Sequence, residues 1–186
     1  MMFWLFIALG LEVLFRVILE IREARLFSRS DKFAIARVIP FLNDFVPLPE
    51  RRFEYEKNNP FVAFHEEAHH KRHHQTNRLL LKFVFFSVSI LGLIYALDRW
   101  HASLIEIVIL FHLALFVLQM PYHYYIWQQE FEADAYATKK TSITQAKKQL
   151  RELVDKEKPY SLFFALLYRE HPPANLRLKK AISSRS

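Results

Sequence analysis

Three stretches of the chain are apolar for about the length that a bilayer core requires, and polar, basic segments separate them. The first, residues 2–21 (MFWLFIALGLEVLFRVILEI), is interrupted by Glu12, Arg16 and Glu20, whose spacing of four places them on one helical face. This predicts a span that packs its polar stripe against protein, with Glu12 and Arg16 paired, in preference to a helix lying in the interface. A cleaved signal peptide fits poorly: no basic residue precedes the run, no small-x-small site follows it, and Arg22, Arg25 and Arg29 come directly after. Residues 79–97 (LLLKFVFFSVSILGLIYAL) and 104–120 (LIEIVILFHLALFVLQM) are the second and third stretches. Only residues 98–103 lie between them, so the pattern predicts a tight antiparallel helical hairpin. A single hydrogen bond across that hairpin is expected for His112, and Pro121 is expected to kink the chain below the third span.

Residues 22–59 are polar and basic, with Pro40, Pro47 and Pro49 preventing long elements. Residues 33–39 are compatible with a short strand, and the remainder reads as an irregular connector. Asn59 followed by Pro60 reads as a helix start, because Asn caps well and Pro suits the first helical position. Ser142 with Gln145 reads as a capping box opening a basic amphipathic helix through Lys156. Residues 160–168 (YSLFFALLY) are apolar enough to pack on neighbouring helices. With only 2 glycines for hairpins and bulges, the expected fold is mainly α, a multi-pass membrane protein with little or no β. The expected organisation is a single domain, 1–186, with spans at 2–21, 79–97 and 104–120 and a helical catalytic core at the membrane face from segments 59–78 and 122–183.

Composition agrees: 52% hydrophobic and 16% aromatic residues are too many for an ordinary soluble surface. The formal net charge of +7 invites nucleic acid as a partner, but its distribution points to a lipid bilayer. Residues 22–78 carry 11 Lys and Arg and residues 128–186 carry 12, whereas the 98–103 loop holds only Arg99. Both basic regions therefore belong on the cytoplasmic side and the N-terminus outside, in the inner membrane if the source is bacterial. No nucleic-acid-binding module is apparent. The chain has no cysteine, so any metal must sit on His, Asp or Glu.

Chemistry concentrates in FVAFHEEAHHKRHH, residues 61–74. His65 and His69 are one helical turn apart, two neutral imidazoles able to reach one zinc ion, and Glu66 lies beside the open coordination position. Alone, such a motif also suits a solvated, histidine-rich helix, and His70, Lys71 and His73 read as solvated. The hairpin returns the chain to this region, where WQQEFEADAYATKK places Glu130 and Asp134 on one face of a second helix. A carboxylate from another helix is the usual third ligand beside two histidines, and Asp134 is placed to orient a ligand imidazole. If the helix is continuous, the ten residues from His69 to Leu79 put a metal about 15 Å from the second span.

HEEAH followed by His74, then EFEADAYA at 130–137, then HPPANLR at 171–177, together resemble the membrane zinc metallopeptidases of the HtpX and CAAX prenyl protease family, over about residues 58–182. The resemblance implies a zinc-dependent endopeptidase with one Zn2+ per chain on His65, His69 and Glu130, Glu66 as catalytic acid/base and Asp134 behind a ligand. It implies that His171 and Arg177 help to hold substrate or the developing oxyanion, and that His74 matches a histidine often found at this position. The implied partners are peptide or protein substrates, membrane proteins among them. Ala68 stands where the family usually has Gly, and one span, not two, precedes the zinc helix. Two other classes remain open at this point: a di-iron histidine-box oxygenase or desaturase, and a non-enzymatic metal-binding membrane protein.

Overall fold

The computed structural model describes residues 1–27, 34–42, 59–157 and 159–183, and the described residues form eight α-helices and no strand. These are α1 (Met2–Phe27), α2 (Ala34–Val38), α3 (Pro60–Lys71), α4 (His74–Trp100), α5 (Leu104–Lys140), α6 (Ile143–Lys156), α7 (Leu162–Tyr168) and α8 (Ala174–Ser183). The chain divides into two compact units, Met1–Leu48 with Leu81–Pro121, and Pro49–Leu80 with Tyr122–Ser186.

In the first unit α1, α4 and α5 supply three helices long and apolar enough to cross a membrane. Their apolar side chains point outward: Phe83 and Leu91 on α4 and Val117 on α5 are each 66% exposed, a surface that suits lipid. The polar stripe of α1 is turned inward. Arg16 Nε donates to Glu12 Oε1 at 2.7 Å, and both side chains are buried. Burying a charge without a partner is costly, so this pairing is what permits α1 to be both apolar and charged. The bond expected from His112 across the α4–α5 hairpin goes elsewhere: its Nε2 lies 2.9 and 3.1 Å from the Glu12 carboxylate on α1. A buried carboxylate is a stronger acceptor than a neutral group, and the hydroxyl proton of Ser89 on α4 goes to its own helix at Phe85 O. The hairpin itself forms, with His101–Ser103 connecting α4 to α5 and Phe86 meeting Phe111 edge to face.

The short strand compatible with residues 33–39 is instead α2. Its Arg37 donates from Nε to Glu20 Oε1 at 2.6 Å and from Nη2 to Oε2 at 3.1 Å, a bidentate contact that outweighs weak local propensity. The prolines at 47 and 49 lie outside the described residues. Pro121 does not end α5, which runs on through it as one helix to Lys140.

The second unit is built around α6. Asn59 caps α3, its side chain accepting from Phe61 N, and Pro60 occupies the first turn. Ser142 caps α6 in the same way, accepting from Gln145 N at 3.2 Å. The apolar face of α6 (Ala146, Leu150, Leu153) packs with Ala174 and Ala181 of α8, Phe61 of α3 and Ala137 of α5. Small alanines at the contacts let these helices approach closely, which sets the site-bearing faces of α3, α5 and α8 against one another.

Candidate metal centre

His65 and His69, one turn apart on α3, turn their Nε2 atoms to within 3.1 Å of each other. Glu130 on α5 faces both, with Oε2 at 3.5 Å from His65 Nε2 and Oε1 at 3.5 Å from His69 Nε2. Among the described residues these three form a group whose ligand atoms all lie within 4.8 Å of one another. Four ligands at about 2.0–2.1 Å around zinc are separated from each other by about 3.4 Å, so the two imidazoles stand close to an edge of that tetrahedron apart and each Glu130 oxygen lies an edge length from one of them. The donor set fits zinc in kind as well, with two imidazole nitrogens and one carboxylate and no thiolate.

Behind the three donors stand further groups. His65 Nδ1 lies 3.0 Å from Asp134 Oδ1. Arg177 of α8 holds that aspartate with two bonds, Nε to Oδ2 at 2.8 Å and Nη2 to Oδ1 at 2.7 Å, and its Nη1 lies 3.9 Å from Glu130. His171 Nδ1 is 3.5 Å from Glu130 Oε2, with the His171 side chain half exposed. Glu66 follows His65 on α3 and is exposed, as are His70 and His73. The segment carrying His171 is anchored on α5: Trp127 Nε1 donates to Arg169 O at 3.1 Å, and His123 Nδ1 lies 2.8 Å from Leu166 O. Glu157 pairs with Arg169 and also accepts from Ala174 N at 2.6 Å, which caps α8 just beyond the two prolines.

Burial and charge act on these groups in opposite senses. For Glu130, burial alone would raise the pKa, yet His171, His65 and Arg177 hold the carboxyl well below its usual range. Asp134 follows the same pattern, burial opposed and outweighed by Arg177. Burial would lower His65, but its contacts with Asp134 and Glu130 raise it. Burial pushes His69 down to about 4 despite the pull of Glu130, so it is a neutral imidazole ready to donate a lone pair.

The helix bearing His65 is not continuous into the second span, so the 15 Å count does not apply. α3 ends at Lys71, and His73 adopts a left-handed conformation (φ 53°) before α4 begins at His74. This corner brings two residues of α4 to the site. His74 Nδ1 lies 2.9 Å from His69 Nδ1, and Arg78 donates from Nη2 to Glu130 Oε1 at 2.9 Å and from Nε to Gln129 Oε1 at 2.6 Å. Sequence reasoning counted Arg78 only as a charge flanking a span. Its position four residues after His74, on the same helical face, was the available signal.

Residues 53–185 match the sequence model of peptidase family M48. The chain matches no curated protein and no solved structure.

Proposed function

Because this chain belongs to peptidase family M48, whose members are zinc-dependent peptidases, we propose that it is a membrane-bound zinc endopeptidase with its centre at His65, His69 and Glu130 and with Glu66 as general acid/base. The observation that carries this reading is the set of three donor separations, 3.1, 3.5 and 3.5 Å, contributed by two helices far apart in sequence.

Zinc bound there would supply a water acidic enough to ionise near neutral pH and a positive charge beside the substrate carbonyl. The protein's own groups do the rest. Glu66, exposed beside His65, accepts the proton of the attacking water on its carboxylate and returns it to the leaving amine, a role worth about 10² to 10⁴ in rate. Asp134, with Oδ1 3.0 Å from His65 Nδ1, is placed to keep the proton on that nitrogen and the lone pair on Nε2, and Arg177 keeps Asp134 in place. Two donors of Arg177 are committed to Asp134, so we assign Arg177 to positioning. The half-exposed His171, 3.5 Å from Glu130, is better placed to hydrogen-bond the developing oxyanion. Substrates are peptides or proteins. Three helices long and apolar enough to cross a membrane support a bilayer location, and the basic segments on either side of the hairpin favour a centre on the cytoplasmic side.

The test is metal analysis together with casein cleavage or self-cleavage in detergent, for the wild type and Glu66→Gln. One zinc per chain in both, with cleavage reduced at least about 10²-fold in the variant, is expected. Undiminished cleavage by Glu66→Gln would remove Glu66 from the mechanism, and protein without zinc would remove the metal centre.

A further inference from the structure

The two ligand histidines differ in what stands behind them. His65 has a carboxylate, Asp134, at 3.0 Å. His69 has another histidine: its Nδ1 and His74 Nδ1 are 2.9 Å apart, the rings meeting edge to face at 79°. Two imidazole nitrogens at that distance share one proton, so one donates and the other accepts. The Nε2 of His69 is the atom that faces His65 and Glu130, and as a metal donor it must carry the lone pair. The proton therefore sits on His69 Nδ1, and His74 Nδ1 accepts it. That leaves the proton of His74 on its own Nε2, which faces Glu132 Oε2 at 3.6 Å. Arg72 pairs with the same carboxylate oxygen through Nη1.

From this chain of contacts we propose that His74 is the positioning residue of the metal ligand His69, with the nearby Glu132 carboxylate, itself paired to Arg72, favouring the Nε2–H tautomer of His74 through its charge. The inference rests on the zinc centre proposed above. Its logic parallels the other side of the site. His65 leads to a carboxylate of α5 and then to an arginine, Asp134 and Arg177. His69 leads through His74 to a second carboxylate of α5, Glu132, and then to Arg72. The corner between α3 and α4 makes this possible. The left-handed His73 separates Arg72 from His74, and both reach the same oxygen of Glu132. Only the histidine is buried, at 3% exposure, so it alone must be satisfied from within the protein.

The experiment measures zinc affinity in purified, detergent-solubilised protein by competition with a chelator, and records the absorption spectrum of the cobalt-substituted protein. His74→Ala is expected to weaken zinc binding about 10- to 100-fold and to alter the cobalt spectrum. In His74→Asn the amide oxygen stands about where Nδ1 was, so affinity and spectrum return to within a few-fold of wild type. Glu132→Ala, a change at an exposed position, shows a smaller loss in the same direction. Wild-type affinity in His74→Ala would overturn the proposal, and so would an Asn variant as weak as the Ala variant, which would mark a purely structural role. Zinc binding that survives His65→Ala unchanged would instead remove the proposed centre, and this inference with it.

Discussion

The guanidinium of Arg177 and the carboxylate of Asp134 are joined by two hydrogen bonds, 2.8 Å from Nε to Oδ2 and 2.7 Å from Nη2 to Oδ1, with both side chains buried. Planar forks matched in this way fix rotation as well as distance. Asp134 thereby presents Oδ1 to His65 Nδ1 in one orientation, and α8 is tied to the helix that carries Glu130.

Removing one side of this pair leaves the other charge buried. Asp134→Ala is expected to destabilise the protein by about 3–5 kcal/mol and to weaken zinc binding about 10- to 100-fold. Arg177→Lys should recover only part of the stability, since an ammonium cannot reproduce the fork. Thermal unfolding in detergent and chelator competition measure the two effects. A neutral Asp134→Ala would show that the pair bears no weight.

Arg78 gives a different expectation. It pairs with Glu130 at 2.9 Å, so in metal-free protein it is one of the charges that keep that carboxylate tolerable at 3% exposure. Arg78→Ala should cost the metal-free form about 1–3 kcal/mol. Zinc bound at the proposed centre would supply positive charge at the same carboxylate, so the rise in unfolding temperature on adding zinc should be larger in the variant than in wild type. An equal rise in both would contradict this role.

His73 is exposed and holds φ at 53°, a conformation that costs a non-glycine residue about 1–2 kcal/mol. His73→Gly should therefore be neutral or stabilise slightly, because relief of strain offsets the added freedom of the unfolded chain. The unfolding temperature and zinc affinity of this variant should both match or exceed wild type. A clear loss of either would show that the imidazole of His73 is itself used.

What could be read from the sequence was local or periodic. Asn59–Pro60 and Ser142 announced their helices because capping depends on a few neighbouring atoms. His65, His69 and Glu130 could be paired because helical spacing and the order of motifs say which faces carry candidate ligands, and the structure brings those side chains together. The end of α3 was hidden: KRHHQ contains neither Gly nor Pro, and a histidine gives no warning that it will turn left-handed. Without that corner, the roles of His74 and Arg78 could not be seen. Residues 33–39 suit strand or helix about equally, and the choice was made by Arg37 reaching Glu20, 17 residues away. The partner of His112 lies 100 residues away on α1, beyond anything periodicity can indicate.

Whether His65, His69 and Glu130 grip a single metal ion can be seen by anomalous scattering at the zinc edge from crystals of the purified protein. One strong peak is expected about 2.0–2.2 Å from both imidazole Nε2 atoms and a Glu130 oxygen. A peak elsewhere, or none in protein that carries zinc in solution, would contradict it.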